Sequence, residues 1–94
     1  MSRYAFRHHK VSSDTDVQIA FGFDHATGYF YQAFDDEGDP VVWQDSMFDG
    51  LTGVGLVEFL DGFDDIPPLV VNQQDRESVA WSTIRQRALL DLPF

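Results

Sequence analysis

Residues 17–34 read VQIAFGFDHATGYFYQAF and carry the pattern that decides the fold. From Val17 to Phe23 every second residue is large and apolar, which is the period of a half-buried strand. A second aromatic-rich run completes the stretch. Between the two runs lie Asp24, whose side chain can close a turn, and Gly28, which can supply a positive φ. The stretch therefore predicts a β-hairpin.

The length of the hairpin loop decides which side chains share a face of the sheet. A four-residue loop at 25–28 places Phe23 opposite Phe30. This register gathers the phenylalanines on one face and puts Tyr29 and Tyr31 on the other. Because side chains alternate along a strand, a shift of one residue would exchange the two faces.

Further elements are predicted on both sides of the hairpin. Apolar alternation predicts one strand before it, over residues 3–11, and a short strand after it, at 41–44. Thr52 can be the N-cap of a first helix and Asp75 the N-cap of a second. The apolar run at 69–71 fits either a short strand or a helical turn. The sequence predicts an α+β fold, with a small antiparallel sheet of about four strands followed by two helices packed on one face.

Length and composition predict one compact domain, residues 1–94. The hydrophobic content of 44%, including nine Phe, is enough for a buried core and argues against disorder. No apolar run is long enough to span a membrane, and the N-terminus lacks a signal-peptide pattern. Cysteine is absent, which excludes disulfides and thiolate metal sites and fits a reducing compartment. We therefore expect a cytoplasmic protein.

The distribution of charge is the strongest functional signal in the chain. The net charge is −10, and residues 11–75 contain fourteen acids but no lysine or arginine. The absence of bases argues against direct binding of nucleic acid through this region, because phosphate contacts rely on lysine and arginine. Adaptation to a salt-loving cell would also enrich Asp over Lys, but five arginines and nine Phe argue against it. Uncompensated charge of this size costs stability, which indicates a basic partner.

Catalytic motifs are absent from the sequence. His8 and His9 are adjacent on a predicted strand and face opposite ways, and His25 lies in the predicted hairpin loop. No nucleophile elbow, phosphate-binding glycine loop or His-Glu-x-x-His motif occurs. We expect a protein that is not an enzyme and has no catalytic residues and no cofactor.

One segment resembles the start of a calcium-binding loop. It runs Asp45-x-Met47-x-Asp49-Gly50, with the glycine at the sixth position. The third position is Met, however, and the twelfth is Leu56, where a bidentate glutamate is needed. We therefore expect a plain turn here and no metal site.

The acids of the base-free region define a predicted partner-binding surface. They are expected to come from three neighbouring segments: Asp35, Asp36, Glu37 and Asp39; Asp45 and Asp49; and Glu58, Asp61, Asp64 and Asp65. Tyr29, Tyr31 and Trp43 are expected to add aromatic anchors, since interfaces are enriched in Tyr and Trp. The prediction requires that these carboxylates converge on one face of the folded protein.

In size, charge and the base-free stretch 11–75, the chain resembles the small acidic inhibitors carried by phages and plasmids, such as anti-CRISPR and anti-restriction DNA mimics. It is also similar to the immunity proteins that neutralise basic nuclease toxins. The resemblance implies a stoichiometric inhibitor that mimics nucleic acid and blocks a Lys/Arg-rich nucleic-acid-binding surface of a partner protein. The alternative is a small structural or assembly module that self-associates through the Tyr29/Tyr31 face. Either a monomer or a homodimer is compatible with the sequence.

Overall fold

The computed structural model describes residues 2–94 and contains a four-stranded antiparallel sheet. Its strands are β1 (Ser2–Lys10), β2 (Thr15–Asp24), β3 (Gly28–Phe34) and β4 (Pro40–Asp45), which form a meander in chain order. They are followed by α1 (Ser46–Asp49), α2 (Gly53–Leu60), β5 (Leu69–Val71), β6 (Ser78–Ala80) and α3 (Trp81–Leu89). The predicted α+β class, with a four-stranded sheet followed by helices, is confirmed.

The β2–β3 hairpin has a three-residue loop instead of the predicted four. Asp24 pairs with Gly28 in the ladder, and its Oδ1 accepts a hydrogen bond of 2.8 Å from the N–H of Ala26. Gly28 has a φ of 78°. A residue in this left-handed conformation commonly ends a three-residue hairpin loop while remaining paired with the opposite strand. The predicted register is therefore wrong by one residue, and Phe23 faces Tyr29.

The corrected register exchanges the two faces of β3. Tyr29 and Tyr31 point into the core, and both are 7% exposed. Phe30 lies on the opposite face, which we call the open face, across from Gly22. A Cβ at Gly22 would come within 2.9 Å of the Phe30 ring, so the aromatic ring occupies the space that the glycine leaves. Phe30 is buried there, with the guanidinium carbon of Arg3 6.0 Å from the centre of its ring.

The core lies between the other face of the sheet and the helices. The ring of Tyr31 stacks on that of Phe59 in α2, with 3.7 Å between centroids. Phe21 contacts Trp81 at the start of α3 edge to face, at 5.5 Å. The largest fully buried side chains come from both layers: Ile19, Phe21, Leu56, Val57, Leu60 and Ile84. Burial of these apolar surfaces fixes how α2 and α3 lie on the sheet.

Helix α2 begins as the sequence predicts. The hydroxyl of Thr52 accepts a hydrogen bond of 3.0 Å from the N–H of Gly55, which is the expected N-cap. Gly53 lies against α3, where a Cβ would overlap the carbonyl oxygen of Ala88. The glycine that weakens α2 as an isolated helix therefore allows the two helices to approach closely.

The last part of the chain differs from the prediction. Asp75 is not a helix N-cap, because its Oδ1 accepts a hydrogen bond from Glu77 within the turn between β5 and β6. Helix α3 instead begins at Trp81, after Ala80, and has no side-chain cap. Residues Ser78 to Ala80, which this prediction placed in the helix, instead form β6 and pair with β5. None of the helices formed by residues 2–94 is long and apolar enough to cross a membrane.

Candidate partner-binding surface

One end of the sheet collects most of the exposed carboxylates. In a meander, the β1–β2 turn and the β3–β4 turn lie at the same end of the sheet. Residues 64–65 reach this end through contacts with His8 and His9. We call it the acidic end, and its eight acids are Asp14, Asp16, Asp35, Asp36, Glu37, Asp39, Asp64 and Asp65. The formally charged bases here are Arg7 and Lys10.

The β3–β4 turn is organised by one of its own carboxylates. The Oδ1 of Asp35 accepts hydrogen bonds from the N–H groups of Glu37 and Asp39, at 3.0 and 2.8 Å. Asp35 is half-buried as a result, whereas the side chains of Asp36, Glu37 and Asp39 are exposed. Within residues 2–94, none of these four acids has an ion-pair partner. The turn therefore presents three solvated charges on a defined backbone.

The two turns of the acidic end share a depression on the open face. Asp16 lies on its β2 side, and Asp35 and Asp36 lie on its other side, with Arg7 also in its wall. Arg7 is 3.9 Å from Asp16, and His9 Nδ1 is 2.7 Å from the same carboxylate. The β1–β2 side is thus partly neutralised, while the β3–β4 side is not.

Residues 64–65 add a third group of acids, beside β1. His8 Nδ1 lies 2.8 Å from Asp65 Oδ1, and the N–H of His9 donates to Asp65 Oδ2 at 3.2 Å. The hydrogen bond from His8 and that from His9 hold the pKa of Asp65 below its usual value. Potential ligand atoms of His8, Asp64 and Asp65 lie within 4.8 Å of one another. They are close enough to share one cation, a possibility that the sequence did not indicate.

Two of the predicted site residues lie at the opposite end of the sheet. Asp45 ends β4, about 17 Å from the β3–β4 turn at the usual rise per strand residue. It is 3% exposed, and its carboxylate accepts hydrogen bonds from the N–H of Phe48 and from Trp43 Nε1. Asp49 is exposed and accepts from the N–H of Asp45. The prediction that these two acids neighbour the turn acids is wrong, because a strand separates them and both hold α1 in place.

The remaining predicted acids lie on the helical layer. Glu58 is exposed on α2. Asp61, at the end of α2, forms a two-pronged ion pair with Arg85 of α3, at 3.0 and 2.7 Å. The hydrogen bond from Arg85 lowers the pKa of Asp61, and the same bond raises the pKa of Arg85. Asp61 therefore contributes little net charge to a partner surface.

The predicted aromatic anchors divide into buried and exposed residues. Tyr29 donates its hydroxyl hydrogen bond to the carbonyl of Leu92, and burial raises the pKa of both Tyr29 and Tyr31. Both side chains belong to the core, so the prediction that Tyr29 and Tyr31 lie on an exposed face of the sheet is wrong. Trp43 is 58% exposed on β4 and remains available.

Two acids of this surface, Asp14 and Asp16, were not among the residues predicted from the sequence. Asp14 lies in the β1–β2 turn and Asp16 near the start of β2, and Asp14 lies 3.2 Å from His9 Nε2. Their position follows from the predicted meander itself, since alternate turns meet at one end of a sheet. The predicted strand topology alone was therefore enough to place Asp14 and Asp16 at this end.

The histidines supply no nucleophile-activating arrangement in the part of the chain that the structure describes. Across residues 2–94, no hydrogen bond joins a histidine to a serine or threonine hydroxyl. His8 and His9 contact carboxylates, and His25 is exposed in the hairpin loop.

No protein-family model, curated protein or solved structure matches this chain.

Proposed function

We propose that this protein is a non-enzymatic acidic binding protein that mimics nucleic acid in the cytoplasm. It occupies a Lys/Arg-rich nucleic-acid-binding surface of a partner protein and uses no cofactor. The observation that supports this proposal is the acidic end, where eight carboxylates from three segments meet two formally charged bases. Trp43 lies on the strand that leaves this end and adds an aromatic contact.

The number of carboxylates at the acidic end is comparable with the number of phosphates on a similar length of duplex DNA. Four strands at the usual spacing span about 14 Å. Over that length of axis a duplex carries about eight phosphates, counting both strands. Eight carboxylates at this end match that number before Arg7 and Lys10 are counted. A surface that attracts lysines and arginines of a DNA groove can therefore be formed here without nucleic acid.

The exposed acids are not needed to hold the fold together. The side chains of Asp36, Glu37, Asp39 and Asp64 make no hydrogen bond and no ion pair within residues 2–94. Their mutual repulsion destabilises the folded state. A basic partner that neutralises these four acids explains why the protein carries them. The mechanism is competitive, because a basic surface covered by these carboxylates cannot hold phosphates.

The proposal is tested by capture of basic proteins from a cell extract on the immobilised protein. We expect the captured proteins to bind nucleic acid, to be displaced by added duplex DNA, and to lose at least about tenfold in affinity between 50 and 200 mM salt. The identity of the captured protein also separates a nucleic-acid-binding complex from a nuclease toxin. Binding that duplex DNA does not displace, or that salt does not weaken, contradicts the proposal.

A pair of charge-matched variants locates the binding surface. The acidic-end variant combines Asp36→Asn, Glu37→Gln and Asp39→Asn. The control combines Glu58→Gln, Asp75→Asn and Glu77→Gln, which are exposed acids elsewhere. We expect the first to lose most of the captured partner and the second to retain it. Equal losses would show that only the total charge matters and would contradict a specific mimic.

A further inference from the structure

The two outer edges of the four-stranded sheet differ in how their backbone groups are used. On β1, the N–H of Arg3 donates to the side chain of Asn72, and the N–H of Gln73 donates to the carbonyl of Arg3 at 2.7 Å. The segment after β5 therefore covers this edge. On the other side of the sheet, β4 pairs with β3 and with no other strand formed by residues 2–94.

The orientation of the β4 backbone follows from its last residue. The N–H of Asp45 points away from β3, because it donates to Asp49, and the carbonyl of Asp45 accepts from Leu51. Alternate residues of an antiparallel strand direct N–H and C=O to the same side. Trp43 therefore turns its N–H and C=O outward. Outside the β3–β4 ladder, no backbone hydrogen bond within residues 2–94 involves Trp43.

The β4 edge is also unusually apolar for an exposed strand. Val41 and Trp43 are 56% and 58% exposed, and Met47 and Phe48 of α1 continue the surface at 65% and 80%. From Val41 to Gln44 the strand carries no charge. Natural edge strands are normally protected by charged side chains or a covering segment. An uncovered apolar edge of this kind indicates a binding site.

A shallow groove on the open face adjoins this edge. Phe30 and Trp43 form its apolar walls, and Gln32 and Arg3 lie behind them. Asp24 also lines the groove. A side chain from a strand laid beside β4 could enter next to Trp43, which gives the edge a second contact beyond its backbone.

The acidic side chains at the two ends of the β4 edge determine which kind of segment can bind beside it. Asp36, Glu37 and Asp39 precede β4, Asp49 is the last residue of α1, and all four are exposed. A second copy of this chain would bring these acids beside its own, since each copy carries −10, and like charges across a strand pair are destabilising. A segment that is apolar in the middle and basic at both ends is complementary instead.

We propose that β4 binds an extended segment of the partner protein by strand addition, with apolar residues beside Val41 and Trp43 and lysines or arginines at both ends. This inference rests on the proposed function for the basic character of the partner. It adds a contact that charge alone does not supply. The acidic end attracts the partner, and the β4 edge fixes the direction and register of one of its strands.

The probe is a panel of short peptides whose central residues are drawn from Val, Ile, Thr, Tyr and Phe, with a pair of lysines at each end. The best binder is compared with a version N-methylated at the central positions that face β4, which has the same charge but cannot donate backbone hydrogen bonds. We expect NMR shifts at the amides of Val41 to Gln44, a change in Trp43 fluorescence, and binding about tenfold weaker for the methylated peptide.

The outcomes separate strand addition from its competitors. Equal binding of the methylated peptide, shifts confined to the acidic end, or no binding by any member of the panel would overturn the inference. So would concentration-dependent dimerisation that protects the amide of Trp43 against hydrogen exchange, because a second copy would then occupy the edge. Trp43→Ala is expected to weaken peptide binding, whereas Leu90→Ala, another exposed apolar position, is expected to leave it unchanged.

The same experiments distinguish this inference from the proposed function. If salt-dependent capture of a nucleic-acid-binding protein succeeds and the peptides fail, only strand addition is wrong. If the peptides bind β4 and no such protein is captured, the mimicry is wrong and the edge remains a binding site.

Discussion

The two ends of the four-stranded sheet use the same residue type in different ways. At the end opposite the acidic end, which we call the packed end, residues 25–29, 45–53 and 88–94 converge through hydrogen bonds such as that from the N–H of Met47 to the carbonyl of Thr27. Carboxylates at this end accept hydrogen bonds from backbone N–H groups: Asp45 caps α1, and Asp91 accepts from the N–H of Gly53. At the acidic end most carboxylates face water.

This difference shows that a count of acids overstates the charge available to a partner. An aspartate that accepts backbone hydrogen bonds stabilises a turn or a helix end, and its burial removes it from a binding surface. An exposed aspartate without partners contributes mainly through its field. The following changes are ordered from the largest expected effect on stability to the smallest, and each compares the two ends or the matched residues within them.

The largest effect is expected at the packed end, from Gly53→Ala. The new Cβ would overlap the carbonyl oxygen of Ala88, so α2 and α3 must separate. We expect a loss of about 3 kcal/mol in the free energy of unfolding, measured by urea denaturation. Gly55→Ala is the control, because its Cβ would meet only side-chain atoms at 3.3 Å, and it should change stability by less than about 1 kcal/mol. Equal effects would contradict the close helix contact.

Asp45→Ala is expected to be the next most damaging change. It removes the N-cap of α1 and leaves Trp43 Nε1 without its acceptor, at a residue that is 3% exposed. The expected loss is about 2 kcal/mol. Asp36→Ala, at the acidic end, should cost less than about 0.5 kcal/mol. A comparable loss at Asp36 would mean that the two ends do not differ as described.

Neutralising the acidic end should raise stability while binding is lost. The combination Asp36→Asn, Glu37→Gln and Asp39→Asn removes repelling charges and leaves the Asp35 hydrogen bonds in place. We expect a gain of about 0.5–1 kcal/mol at low salt, which shrinks as salt is added. Thermal unfolding at two salt concentrations measures it. A loss of stability would show that these acids support the fold.

The smallest effects concern Asp61 and Asp65, whose pKa values are lowered in the folded protein by Arg85 and His8. A lowered folded pKa stabilises the protein above the unfolded value, about 3.9, and this contribution is lost as the pH falls through the folded pKa. The Asp61–Arg85 pair is exposed and the Asp65–His8 pair is partly exposed, so solvent screens both and each contribution to stability should be small. In Arg85→Gln, an NMR titration should show the Asp61 midpoint shifted upward, and an unchanged midpoint would contradict the pairing.

Local sequence patterns predicted the elements that depend on neighbouring residues. The alternation before Asp24 and the capping hydroxyl of Thr52 are such patterns, and both are found as expected. The solvated turn at 35–39 also follows from its run of acids and glycine. The hairpin register did not follow, because Gly28 can either belong to a loop or pair in the ladder, and the alternating sequence fits both.

Features that depend on distant contacts were not accessible from the sequence. The run at 69–71, which fitted a short strand or a helical turn, forms β5; this strand and β6 have three residues each, too few for a period to decide between strand and helix. The burial of Asp45 depends on α1 folding back over the end of β4, and the role of Gly53 depends on α3. For the partner surface, the sequence predicted that Asp64 and Asp65 join the acids of the β3–β4 turn, but it wrongly placed Asp45 and Asp49 with them and omitted Asp14 and Asp16.

The hydrogen bonds of Asp45 limit how many residues of β4 can pair with an added strand. Asp49 and Leu51 occupy the outward groups of Asp45, and the irregular pairing between Ala33 and Phe34 distorts the other end of β4. The stretch that could template a new strand is therefore only a few residues long. A short, bounded template admits one added strand and does not favour the indefinite stacking that underlies fibril growth. The β4 edge can therefore remain exposed for binding without favouring the growth of fibrils.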